Sequence, residues 1–253
     1  MKPKYTKAIA GIILVGSMAG PAMADEIDIT SGYYYFGNGI IFSAVAPKGS
    51  GSGQWDAFDR IKSEDSFVKG VNTDLHNIYN NQAGPNFTED MLVGDVGTAG
   101  DYYLFQLDTA QSGRGFTSLD RVKIFQNPTA FSDSSGLTGF IETTGVPLFD
   151  TGTAHTFKVT ANSGNGSGDL WMYVPKALFD PTYYLYLYSE LGSPPGVYPG
   201  SGSFDEWGAL IGTTDAPPTG PGTPPSVPDG GMTLMLLGAG LSGLGYVRRA
   251  VKK

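Results

Sequence analysis

Cysteine is absent from the 253 residues, and histidine occurs only as His76 and His155. The first absence excludes a disulfide scaffold, a thiolate metal site and a thiol nucleophile. Two histidines and no cysteine leave zinc poorly supplied with its preferred ligands. No serine stands in a Gly-x-Ser-x-Gly elbow, so His155, with Asp150 and Asp169 near it in sequence, has no marked nucleophile to serve. Bases are also scarce, 16 against 24 acids, for a net charge of −8. The two ends carry seven of those bases and one acid, so residues 25–226 hold nine bases and 23 acids, net −14. Phosphate backbones are repelled by such a surface, which excludes nucleic acid as a partner and favours divalent cations or a cationic matrix. Long amphipathic helices are scarce too. Residues 66–80 place Phe67, Val71, Leu75 and Ile78 on one helical face, but Gly70 and the run Val71-Asn72-Thr73-Asp74 break it. That stretch is read as extended chain and turn.

What is present is glycine (37 residues) and a generous supply of tyrosine and phenylalanine (14 each). Short runs at 40–45, 102–107, 119–125, 139–143, 155–160, 170–174 and 183–189 are mostly rich in β-branched or aromatic residues and bounded by turn formers. Many strands at short spacing, without alternating helices, predict an all-β fold: a β-sandwich, jelly-roll-like, over residues 25–212. Some 190 residues suffice for one apolar core.

Both ends predict trafficking. Lys2, Lys4 and Lys7 precede an apolar run over 8–18, and Ala22-Met23-Ala24 places small residues at the −3 and −1 positions. This is a secretory signal peptide, residues 1–24, with cleavage by signal peptidase after Ala24. Residues 213–226 (TTDAPPTGPGTPPS) form an extended, semi-rigid linker. Residues 227–253 then run through Val227, Pro228, Asp229, Gly230 and Gly231, an uncharged apolar stretch from 232 to 247, and the bases Arg248, Arg249, Lys252 and Lys253. The apolar stretch is shorter than the roughly 20 residues of a comfortable span. Its glycines are tolerated in lipid, and its basic end belongs on the cytoplasmic side. A C-terminal transmembrane helix is therefore expected, with the membrane as partner. Pro228 and the paired glycines keep the motif irregular and open to a processing enzyme.

The order of motif, apolar helix and basic end resembles the PEP-CTERM class of bacterial sorting tails, with residues 227–231 similar to its VPDSG-type variant and Gly230 where serine is usual. The resemblance covers these 27 residues. It implies an exosortase-like sorting enzyme as partner, for which the motif is substrate, and a protein held at the inner membrane during sorting and then placed at the cell surface or outside it. The body is similar to a group of exported bacterial proteins with the same kind of tail and no assigned biochemical function. The similarity is carried by Phe58-x-Arg60-Ile61, residues 71–74, 86–96, 103–108, 118–125, 166–169 and 186–189, and Phe204-Asp205-Glu206-Trp207.

Three constellations are candidates for chemistry. Asn162, Asn165 and Asp169 sit in an oxygen-rich loop between two strands, which suits calcium as a cofactor. The same loop is also an ordinary hairpin turned at Asn165-Gly166. Asn72-Thr73-Asp74 offers the same choice between ligand and turn. Tyr184, Tyr186 and Tyr188 fall on one face of a strand, where an exposed row would stack on sugar rings and a covered one would be packing. The expected function is thus a non-enzymatic surface or matrix protein that binds or scaffolds exopolysaccharide. The alternatives are a secreted polysaccharide hydrolase with paired carboxylates, and a module that only assembles with copies of itself.

Overall fold

The computed structural model describes residues 25–44, 55–62, 67–75, 78–82, 88–109, 115–161, 168–192, 204–215 and 217. Ala24, Asn162, Asn165 and the whole sorting tail, including Val227, Pro228, Asp229, Gly230 and Gly231, lie outside the described residues. Runs that alternate inward apolar and outward polar side chains become strands. In chain order these are β1 (Asp25–Asp28), β2 (Tyr33–Tyr35), β3 (Ile41–Ser43), β4 (Trp55–Lys62), β5 (Val68–Val71), β6 (Met91–Leu92), β7 (Thr98–Ala99), β8 (Tyr102–Thr109), β9 (Gly115–Asn127), β10 (Phe149–Asp150), β11 (His155–Ala161), β12 (Leu170–Pro175), β13 (Tyr184–Leu191), β14 (Phe204–Leu210) and β15 (Thr213–Thr214).

They form two sheets. The first has the order β1-β11-β9-β13-β5, with β10 beside β9 and β6 beside β13. The second runs β4-β14-β8-β12-β3-β2, with β7 against β8 and β15 against β7. Pairing is antiparallel except for β1 with β11 and β15 with β7. The inner faces meet in one core. Leu119, Val122, Ile124, Phe157, Leu185 and Leu187 come from the first sheet, and Phe42, Phe105, Leu107, Met172, Val174 and Trp207 from the second. This is an all-β sandwich of the packed two-sheet kind.

Three expectations are corrected. Residues 139–143 are not a strand: a short helix, α1 (Ser134–Gly139), continues into a single wider turn, Phe140–Thr144. The cap explains it, because Asp133 accepts from the Gly136 N–H at 2.7 Å, and Thr138 and Thr143 bond back to carbonyls four residues earlier. Second, β4 and β14 are strands that the alternation did not announce. Third, the sheet runs into the expected linker, since Thr213 and Thr214 pair with Thr98 and Ala99. Residues 72–75, by contrast, are turn, and Asn72 is a structural staple. Its amide donates to the Leu185 carbonyl at 2.8 Å and accepts from the Leu187 N–H at 2.6 Å. Among the described residues no helix is long and apolar enough to cross a membrane.

A candidate binding groove

On the outer face of the second sheet, a groove of about 280 Å³ crosses β4, β14 and β8. A register irregularity between Trp207 and Gly208 makes it. Trp207 pairs with Asp59 and Gly208 with Ala57, so Phe58 is an extra residue on β4. Strict alternation from Trp55 would point Arg60 inward. The extra residue instead turns both Phe58 and Asp59 into the core and brings Arg60 onto the face that carries Trp55 and Ala57. Arg60, Glu206 and Asp108 then stand in register across three adjacent strands.

Gly208 lies between Ala57 and Gln106, and its missing side chain leaves the floor low. Trp55, half-buried, forms one wall and leans on a cluster that contains Ile41, Leu104 and Leu210. Arg60 donates through Nε and Nη2 to Glu206 Oε1, and its guanidinium lies 5.7 Å from the centre of the Phe204 ring. Gln106 is only 5% exposed. Its carboxamide rests on Gly168, at φ +57°, where an added Cβ would overlap it. Two buried polar atoms of the lining, Trp55 Nε1 and Gln106 Oε1, have no hydrogen-bond partner among the described residues. Such atoms are uncommon in folded chains and mark places where a water or ligand completes the bonding. A half-turn of the Gln106 amide exchanges its donor and acceptor ends, so it can serve a hydroxyl in either sense.

The candidates raised by the sequence lie elsewhere. Asp169 is buried, and its Oδ2 accepts from Thr109 N at 2.7 Å and Thr109 Oγ1 at 2.6 Å. Those bonds tie the start of β12 to the end of β8. Among the described residues no three His, Cys, Asp or Glu side chains converge as a metal site. Tyr184, Tyr186 and Tyr188 do share the outer face of the first sheet, but the row is not an open platform. Tyr186 and Tyr188 are covered by Ile78, Leu137 and Ile141, and Tyr184 is half-buried against the same cluster. The Tyr186 ring meets Phe131 at 5.2 Å and the Tyr188 ring meets Tyr79 at 5.5 Å. The Tyr186 hydroxyl accepts from Phe131 N at 3.2 Å, and that of Tyr188 donates to Glu190 at 2.6 Å. Burial, and for Tyr188 also the Glu190 bond, push both hydroxyls well above the usual tyrosine range. The faces of Tyr186 and Tyr188 are therefore closed to a sugar ring.

Neither carboxylate near His155 in sequence is bonded to it. Asp150 takes a two-point bond from Arg121, at 3.0 and 2.8 Å, and Asp169 serves Thr109. In comparisons with protein-family models, curated proteins and solved structures, nothing matches this chain.

Proposed function

We propose that this is an exported surface or matrix protein, sorted through its tail by an exosortase-like enzyme, whose jelly-roll-like sandwich holds exopolysaccharide in the groove over Gly208. The alternation of the chain between sheets supports the jelly-roll description: β8, β12 and β14 belong to one sheet, and β9, β11 and β13 to the other. One observation carries the ligand reading. A tryptophan wall, a low glycine floor and a polar row occupy a single outer face, and that combination gives a pyranose an apolar surface for its C–H face and partners for its hydroxyls. Titrating the mature chain with exopolysaccharide fragments tests it. Trp55→Ala should weaken binding by roughly tenfold or more, about 1.4 kcal/mol. Unchanged affinity in that variant removes the groove from the account.

A second reading rests on Asp108 and Glu206, which are directly opposite each other on paired strands. Side chains so placed have Cβ atoms about 4.5–5.5 Å apart, and rotation about their side-chain bonds sets whether the two carboxylates reach the separation a glycosidase needs. Release of reducing ends from the bound polysaccharide, lost in Glu206→Gln, would establish a hydrolase. Binding without release leaves the non-enzymatic reading. The proposal extends to calcium through the loop beside Asp169. A melting midpoint that rises with millimolar calcium and falls on chelation supports that extension, and an unmoved midpoint removes it.

A further inference from the structure

We infer that the groove holds an N-acetylated sugar unit: Gly208 leaves a methyl-sized recess for the acetyl group, and Trp55 and Gln106 bond the two ends of its amide. This rests on the groove being the glycan site. Gly208 sits in the interior of β14, where a glycine weakens the strand and often marks close approach of a ligand or another backbone. The fold itself does not ask for glycine there. Its φ lies outside the left-handed region. An added Cβ would meet Asp56 O at 3.4 Å and Trp55 Cβ at 3.5 Å, which is ordinary van der Waals contact. The missing methyl therefore opens room on the groove floor, beside Ala57. The two unpartnered buried atoms of the lining are complementary in kind, since Trp55 Nε1 only donates and Gln106 Oε1 only accepts. One secondary amide serves both: its C=O accepts from the indole, its N–H donates to the carboxamide, and its methyl enters the recess. An ammonium in its place leaves the indole unpaired, and a carboxylate leaves the Gln106 oxygen unpaired. A plain hydroxyl leaves the recess without packing partners.

The test is calorimetric titration of the mature chain with three oligosaccharides of equal length and linkage, made of N-acetylglucosamine, glucosamine or glucose. The acetylated oligomer should bind roughly tenfold tighter than either of the others. Gly208→Ala, verified as folded by its melting curve, fills the recess and should erase that preference while the glucose oligomer still binds. Trp55→Phe keeps an aromatic wall but removes the N–H, and it should cut the preference several-fold; this variant decides the matter should Gly208→Ala fail to fold. If the glucose or glucosamine oligomer binds as tightly as the acetylated one, or either variant leaves the preference intact, the inference is wrong. In those cases Trp55→Ala still weakens binding and the groove stands. If none of the three binds, or Trp55→Ala has no effect, the inference and the groove reading fail together.

Discussion

Asp59 is the residue at which making the groove has a cost. The extra residue that turns Arg60 outward also turns this carboxyl inward, opposite Trp207, where it is fully buried. Neither of its oxygens has a hydrogen-bond partner among the described residues, and burial pushes its pKa well above the ordinary carboxylate value. The folded state therefore holds a proton that the unfolded chain releases near pH 4. Where the native state binds more protons than the unfolded one, stability falls as pH rises. This contribution is fully present below about pH 4 and is lost progressively up to the raised folded value. Asp59→Asn removes the titration while keeping the shape. It should stabilise the protein at pH 7, have little effect near pH 4, and flatten the pH dependence of the melting midpoint. A variant no more stable than the parent at pH 7 would show that the carboxyl has found a partner.

At the scale of elements, α1 and the turn after it decide what the first sheet offers to solvent. Leu137 and Ile141 point down onto Phe125, Tyr186 and Tyr188, and Phe131 and Phe140 stack beside them, 5.1 Å apart. Leu137→Ala should cost about 2–5 kcal/mol as a buried truncation, read from a denaturant midpoint. It should also loosen the cover over the tyrosine row, read as faster tyrosine quenching. A loss below about 1 kcal/mol would mean that the helix is not what holds the cover in place. The period-two pattern of residues 183–189 was legible, and it sorted Leu185 and Leu187 from Tyr186 and Tyr188 correctly. Which side faced solvent was not legible, because the cover is a six-residue helix with one glycine-rich turn, too short to show a period. Of the three strands that build the groove, β8 was legible as the run 102–107, and β4 and β14 were hidden for a different reason. In WDAFDRIK the extra residue breaks the alternation, and in FDEWGAL a glycine interrupts it. Arg60 and Glu206 could each be singled out in short motifs, but their pairing across 146 positions is a property of the fold.

At the scale of the whole molecule, the predicted signal cleavage falls at the edge of the sandwich, while the sheet extends into the expected linker. Cleavage after Ala24 leaves β1 whole, since Asp25 is its first residue and donates its N–H to the Ala154 carbonyl at 2.8 Å. At the other end, β15 finishes at Thr214. Pro217 is still buried, and the proline-rich stretch from there to Val227 would reach about 31 Å if extended at roughly 3.1 Å per residue. On the proposed sorting route, such a reach would let a membrane-embedded enzyme act on the motif while the sandwich stays folded. Replacing Pro228 and Asp229 together with alanine should therefore leave export and the melting midpoint unchanged. The protein should then accumulate in the membrane fraction at the mass expected after signal cleavage alone, while the parent chain appears at a lower mass, released from that fraction. Normal processing of the double variant would sink the tail assignment and detach the groove from any sorting route. A variant that is folded, exported and retained would instead show that the domain and its address are separable.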